Sequence, residues 1–249
     1  MDSISSMPAQ ACASQFWHKS GEGMWTAELH VDGGDPHDRL KLLKLDPALY
    51  DTEIAMPKDK GKKALSARDM AKESGYSAAI NAGYFDENYM PLGYFRTKTR
   101  KVNGYIGTPI IYSGMIVFKN GSAAIIHRDS FNPEEWDEAF QAGPRLIAES
   151  KPTCGLEKTI DYSKKSRRAG LGFDSRGFII AAVTAGGTTA SWKQMTDTLL
   201  NSRHIGIKSF INLDGGTSAQ IYAQSGRKTE IDERAAAVPA AIGFRKKNH

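Results

Sequence analysis

Two short stretches hold the residue types that could do chemistry on a polar ligand. The first is FINLDGGTSAQIY, residues 210–222. An apolar run ends on Asp214, two glycines follow, and Thr217 and Ser218 precede an alternating run. A carboxylate delivered at the end of a buried strand faces the loops where ligands bind. Gly215 and Gly216 permit positive φ and let a substrate approach the backbone. Thr217 and Ser218 add hydroxyls and amides that can hold an anion. Alone, the segment also reads as a tight Asp-Gly-Gly turn capped by its own side chain. The second stretch, NAGYFD at residues 81–86, again follows an apolar run. Asn81 carries a donor and an acceptor, Gly83 permits a sharp bend, and Tyr84 or Phe85 offers an apolar face to a sugar ring. A turn anchored by core aromatics is the plainer alternative.

Two arginines stand in unusual places. Arg145 directly follows the break Gly143-Pro144, and Arg168 leads into the apolar, glycine-rich AGLG. A guanidinium pairs bidentately with phosphate or carboxylate and is seldom buried unpaired. Each arginine is therefore either half of an internal salt bridge or part of an anion site. If the fold brings both together with Asn81 and Asp214, the result is an anion site beside one carboxylate. The six histidines show no ligand spacing, and no GxSxG elbow or Walker pattern occurs. No metal or cofactor is implied.

These residues need strands and turns to position them. Strand-like runs at 24–31 and 39–46 flank the turn DGGDPHD. Residues 65–75 read as a short helix capped by Ser66 and stopped by Gly75. Asn120-Gly121 between two apolar runs signals a hairpin. Residues 139–148 form a strand broken at Gly143-Pro144, and 168–186 form another hairpin. Ser191 and Gln194 make a capping box for a helix over 191–203 whose Trp192, Met195, Leu199 and Leu200 face the core. Strands dominate and a few helices are inserted, which predicts an α+β fold with antiparallel or mixed sheets in one domain over 23–249. Residues 1–22 read as a poorly ordered lead-in.

With 249 residues and 40% apolar residues, the chain can bury a sizeable core. The net charge of +5 is spread out, and no zinc-finger, helix-turn-helix or RNP-like pattern accompanies it, so nucleic acid is not the expected partner. The two cysteines, Cys12 and Cys154, make neither a disulfide framework nor a metal site. No apolar run is long enough for a membrane span, and the N-terminus lacks the basic start and apolar core of a signal peptide.

Four segments in order resemble the phosphodiester glycosidase family. The family pattern runs from an N-G-G-F-F-like segment through G-P-x-L and R-T/S-A-I-G to N-L-D-G-G-G-S after a helix. Here the same order appears as NAGYF (81–85), GPRL (143–146), RAGLG (168–172) and NLDGGTS (212–218), with ERAAAVPAAIGF (233–244) like the closing arginine-led strand. The match runs from about residue 24 to 245, nearly the whole chain. The departures are Ala82, the Ala169-Gly170 pair and Thr217 in place of the third glycine. The resemblance implies hydrolysis of a sugar-1-phosphodiester at the glycosidic C–O bond, such as an N-acetylglucosamine-1-phosphodiester or a bacterial polysaccharide. It implies catalytic roles for Asp214, Arg168 and Asn81, with Gly83, Phe85, Arg145, Gly215, Gly216, Thr217 and Ser218 binding substrate. Arg168, and after it Arg145, would stabilise the departing phosphate, and Asp214 would act as nucleophile or base. Asp86 and Asp174 are candidates for a second carboxyl. The resemblance also implies a secreted or periplasmic location, with the cytoplasm as the alternative. A non-catalytic protein binding exopolysaccharide or cell-wall glycans in the same cleft is the alternative.

Overall fold

The computed structural model describes residues 16–58 and 61–248. Three sheets contain all of the described strands, and every strand pairing within them is antiparallel. The largest has eight strands. Its centre runs from Arg39–Leu45 through Ile179–Thr184, Ala169–Asp174 and Ile207–Asn212 to Arg145–Ala148. One five-stranded sheet contains Phe95–Arg96, Glu138–Ala142 and Gly114–Lys119. The other contains Ile221–Ser225, Ala78–Asn81, Ala241–Lys246 and Tyr50–Ala55. One apolar cluster joins the three, with Leu43 and Leu171 from the first sheet, Phe118 and Phe140 from the second, and Ile80 and Ile242 from the third. The chain is thus a single α+β domain, as its strand-rich pattern predicts.

The eight-stranded sheet is covered on both faces. Leu43, Leu45, Ala181 and Val183 turn toward the other sheets. Their neighbours Leu40, Leu42, Ile180 and Ala182 pack against the helix Trp192–Asn201. Period-two alternation therefore places apolar residues on both sides, which is why FIIAAVT reads as a nearly unbroken apolar run. The helix starts where expected, because Ser191 Oγ accepts from the Gln194 amide at 3.0 Å while the Gln194 side chain accepts from the Ser191 amide at 3.0 Å. The second expected helix spans Ala67–Ser74, with Ser66 as its N-cap and Gly75 left-handed at φ 70°. The Asn120-Gly121 hairpin has both turn residues at positive φ, 50° and 75°, as a primed two-residue turn requires.

One boundary differs from the sequence expectation. His18–Gly21 is a strand paired with Met24–His30, so the ordered sheet begins inside the stretch read as a lead-in. Trp17 is also tied down, its indole N–H donating to the His204 carbonyl at 2.9 Å. Short polar runs like HKSG carry no apolar periodicity, so only the pairing reveals them. Cys12 lies outside the described residues. Among those residues no helix is long and apolar enough to cross a membrane.

Glycines at the sheet centre allow close packing. A Cβ on Gly170 would lie 2.3 Å from the Phe210 ring. Replacing Gly170 with alanine should therefore cost about 1–3 kcal/mol through overpacking, seen as a lower Tm. Gly187→Ala, where a Cβ meets open space, should be close to neutral in the same thermal melts.

Candidate active site

The four segments singled out in the sequence meet where the strand Ile207–Asn212 ends. Gly170 lies opposite Asn212 in the antiparallel ladder, and the Leu213 amide donates to the Ala169 carbonyl at 2.9 Å. On the other side, the Asn212 amide donates to the Pro144 carbonyl at 3.0 Å and the Gly143 amide to the Asn212 carbonyl at 3.1 Å. The NAGYF segment closes the ring, with the Asp214 amide donating to the Ala82 carbonyl at 3.1 Å. Gly215 has a steric reason of its own, since a Cβ there would sit 2.7 Å from the Arg167 carbonyl oxygen. The Gly216 amide donates to that same oxygen at 2.9 Å.

A cleft of about 630 Å³ opens over this junction. Asp214 and Arg168 both line it, with Phe85, Trp192 and the 215–218 turn. Arg168 is 6% exposed. Its Nε donates to the Ala190 carbonyl at 2.9 Å, an Nη2 hydrogen to the Lys164 carbonyl, and its plane lies over Trp192 at 4.4 Å. These partners are carbonyls and a ring face, not carboxylates, so the internal salt bridge weighed for this residue is not what holds it. Nη1 makes no hydrogen bond among the described residues, and lies on the Gly215 side of the cleft. Burial pulls the arginine pKa below its ordinary value, but a guanidinium stays charged. Asp214 has no ion-pair partner among the described residues, and only the neutral Ser218 hydroxyl and Gly215 amide nearby favour its ionised form. Burial raises its pKa more than these two groups lower it.

Tyr84 and Asn212 complete the floor. The Tyr84 hydroxyl donates to the Gly143 carbonyl at 2.6 Å and accepts from Asn212 Nδ2 at 2.9 Å. Burial, and then the Asp214 charge, push its pKa far above the tyrosine range, so it stays protonated. Tyr84 thus contributes a bonded hydroxyl, where the sequence offered it only as a ring for stacking. Phe85, which lines the cleft, stacks on Tyr89 with ring centroids 5.7 Å apart.

Several predicted residues sit elsewhere. Asn81 is fully buried and does not line the cleft. Its Nδ2 donates to the Asp214 carbonyl at 2.8 Å and its Oδ1 accepts from the Gln220 amide at 3.1 Å. Its whole hydrogen-bonding capacity goes to backbone, so it positions Asp214 rather than touching substrate. Gly83 packs its backbone against Phe140 and Gln141. Arg145 runs over Gly114 instead of into the cleft. Gly215, Gly216, Thr217 and Ser218 line the cleft as expected. Neither candidate for a second carboxyl is there. Asp86 accepts from the Asn88 and Met90 amides within its own turn. Asp174 is buried with Lys44 at 3.0 Å. The second carboxylate on the cleft is Asp161, near Lys164 and Ser166. Sequence reasoning passed over Asp161 because it lies in a polar loop with no strand to aim it. It passed over Trp192 because helical spacing marks it as core, and the same ring serves both purposes.

A family model for phosphodiester glycosidases matches residues 74–245. The chain belongs to that family. It is a hydrolase of the phosphodiester glycosidase kind. No curated protein sequence matches it. Among solved structures it resembles the zebrafish N-acetylglucosamine-1-phosphodiester alpha-N-acetylglucosaminidase catalytic domain, auto-inhibited by its pro-peptide. The TM-score is 0.66 at 15% identity, covering 92% of this chain and 86% of that one. It also resembles a hypothetical protein from Synechocystis, with TM-score 0.68 and 15% identity, over 90% of this chain. The chain spans 62% of that protein's length. These likenesses establish the fold.

The raised pKa of Asp214 has a thermodynamic consequence. Folding disfavours its ionised form, so the folded state is penalised above the raised pKa and the penalty vanishes below the ordinary value near 3.9. Asp214→Asn should therefore raise Tm at pH 7, by roughly 2–4 °C per kcal/mol relieved. The gain should shrink as the melts are repeated toward pH 3.5.

Proposed function

We propose that this protein cleaves the glycosidic C–O bond of a sugar-1-phosphodiester, an N-acetylglucosamine-1-phosphodiester or a related unit of bacterial polysaccharide. One observation carries the proposal. Arg168 and Asp214, a cation and a carboxylate, line one cleft with neither neutralised by an ion pair among the described residues.

The chemistry suits that pair. As the C1–O bond breaks, its electrons pass to the phosphate monoester, and a phosphate needs little acid assistance to leave. The open Nη1 of Arg168 answers the negative charge that builds on it. Asp214 acts at C1, either directly as nucleophile or by taking a proton from the attacking water, and both roles require its ionised form. The 215–218 turn supplies amides and hydroxyls beside it. Asn81 works through the backbone, holding the Asp214 carbonyl while the carboxylate stays free for the substrate.

The test is release of phosphate monoester from a panel of sugar-1-phosphodiesters. Wild type should turn over at least one member. Asp214→Asn should lose on the order of 10²–10⁴-fold in kcat, and Arg168→Lys about 10²–10³-fold, with both variants folded by circular dichroism. Near-wild-type turnover by Asp214→Asn would remove the carboxylate from the mechanism. Glycan binding without turnover by wild type would favour the non-catalytic alternative. Because Asp214 must be ionised and its pKa is raised, kcat/KM should fall as pH drops, starting above the ordinary aspartate value of about 3.9.

A further inference from the structure

Four large apolar side chains stand exposed among the described residues: Tyr89, Met90, Leu92 and Tyr105, each between 38% and 65%. Scattered singly such residues mean little, but a contiguous patch marks a place where something binds. All four fall in one stretch of chain, and Asn103 stitches its two loops together. Its Nδ2 donates to the Pro91 carbonyl at 2.9 Å, and its Oδ1 accepts from the Tyr105 amide at 2.9 Å. The stretch is also joined to the cleft. Phe85, on the cleft, stacks on Tyr89 with the rings 12° from parallel. The Leu92 amide donates to the carbonyl of Tyr84, another cleft residue, at 2.9 Å. Tyr112 packs edge-on against the Tyr84 ring. Its pKa is raised by burial, then by Asp214 and Tyr105, so it lies near both. Tyr89 itself holds φ at 65°, a left-handed backbone that costs a bulky residue and suits glycine or asparagine. Asp86 fixes that turn. Its Oδ1 accepts from the Asn88 and Met90 amides at 2.9 Å each, and its carbonyl from the Tyr89 amide at 2.9 Å. An aromatic ring is thus kept exposed beside the cleft at a position where a smaller residue would be easier.

We propose that this patch is a second sugar subsite, with the Tyr89 ring as the platform for a sugar residue one unit beyond the ring that reacts at Asp214. The inference deepens the phosphodiester reading above and rests on it. Three observations select a sugar as the occupant. The first is continuity, since the patch begins at Phe85 on the cleft that holds Asp214 and Arg168. The second is mixed character. Tyr89 and Tyr105 are rings with polar tips, and the exposed Glu87 and Asn88 share the Tyr89 turn. A sugar has the same mixture, C–H groups on its face and hydroxyls at its edge, and an amphipathic ring matches both. An acyl chain is better served by an enclosed apolar groove, and these side chains stand open to water. The third is charge. Asp86 and Glu87 make the turn acidic, so a second phosphate or an anionic lipid surface is repelled there. A turn already fixed by Asp86 also spares the ordering cost of closing on the ligand. Binding energy from a sugar that does not react can then be used at the bond that does. The cleft is thereby fitted to a link within a longer glycan in preference to a single sugar phosphodiester.

The experiment measures kcat/KM for the methyl diesters of glucose 1-phosphate and N-acetylglucosamine 1-phosphate, and for each parent extended by one sugar in either direction. One extension replaces the methyl group with methyl glucoside joined through O6, and the other adds a glucosyl residue at O4 of the reacting ring. An octyl diester of each parent is the acyl-like control. Wild type should prefer one extended substrate over its parent by on the order of 10-fold. In Tyr89→Ala the ratio of extended to parent substrate should fall to near one, and Tyr89→Phe, which keeps the ring, should retain most of the preference. The ratio is the readout because a merely structural role for Tyr89 would slow both substrates alike and leave it unchanged, which overturns the proposal. Equal loss in the alanine and phenylalanine variants overturns the stacking role. A larger gain from the octyl group than from either sugar overturns the assignment to a sugar. So does a wild-type dimer in sedimentation that Tyr89→Ala dissolves, since a second copy would then cover the patch. No gain from either extension overturns the subsite, while turnover of the parents leaves the phosphodiester reading standing. No turnover of any substrate by wild type removes both.

Discussion

The bond from Asn81 Nδ2 to the Asp214 carbonyl, with the return bond from the Asp214 amide to the Ala82 carbonyl, is the joint on which this architecture depends. It fastens the end of a strand in one sheet to the end of a strand in another. Without it the two sheets would still share an apolar core, but hydrophobic contact is non-directional and cannot aim a carboxylate. Buried hydrogen bonds can, because a misplaced buried amide leaves donors and acceptors unpaired. Asn81 is suited to this place because it offers a donor and an acceptor on one short, fully enclosed side chain.

The same economy of neutral partners surrounds the charges. Arg168 is held by two carbonyls and an indole face, and Asp214 has only a neutral hydroxyl and amide nearby, with no ion-pair partner among the described residues. An ion pair would have satisfied each more cheaply and left nothing for a substrate. Elsewhere the chain does use buried ion pairs, as in Lys44 with Asp174 at 3.0 Å. The contrast within one molecule separates structural charges from those left open to a ligand. Sites of this sort are commonly less stable than they could be, since desolvated charges oppose folding. The raised pKa of Asp214 is the local sign of that opposition.

Close approach is the other requirement, and glycine supplies it in two different ways. At Gly170 the strand passes so near Phe210 that any side chain would enter the ring. At Gly215 the limit is the Arg167 carbonyl, which the turn must pass before Gly216 adopts φ 56°. The first glycine brings two strands of the sheet together behind Asn212. The second brings the 215–218 turn onto the chain that leads to Arg168. Thr217, where the family pattern has glycine, is exposed at the cleft and has room for its side chain.

By itself the sequence determined the class of fold, the two capped helices, the Asn120-Gly121 turn and the identity of Asp214 and Arg168 as unusual. Each is a local matter. Caps, turns and alternation are written within a few residues of one another, and an arginine inside an apolar, glycine-rich strand is conspicuous anywhere. Which residues face the ligand was decided only by the tertiary structure. Asn81 and Arg145 share chemistry and spacing with the true lining residues, yet one is spent on backbone hydrogen bonds and the other runs over Gly114. Asn212, Tyr84 and Trp192 gain their importance from partners 69, 59 and 24 positions away in the chain, at Gly143, at Gly143 again and at Arg168. Such partners are set by how three sheets close on one another, and no local pattern of residues records that closure.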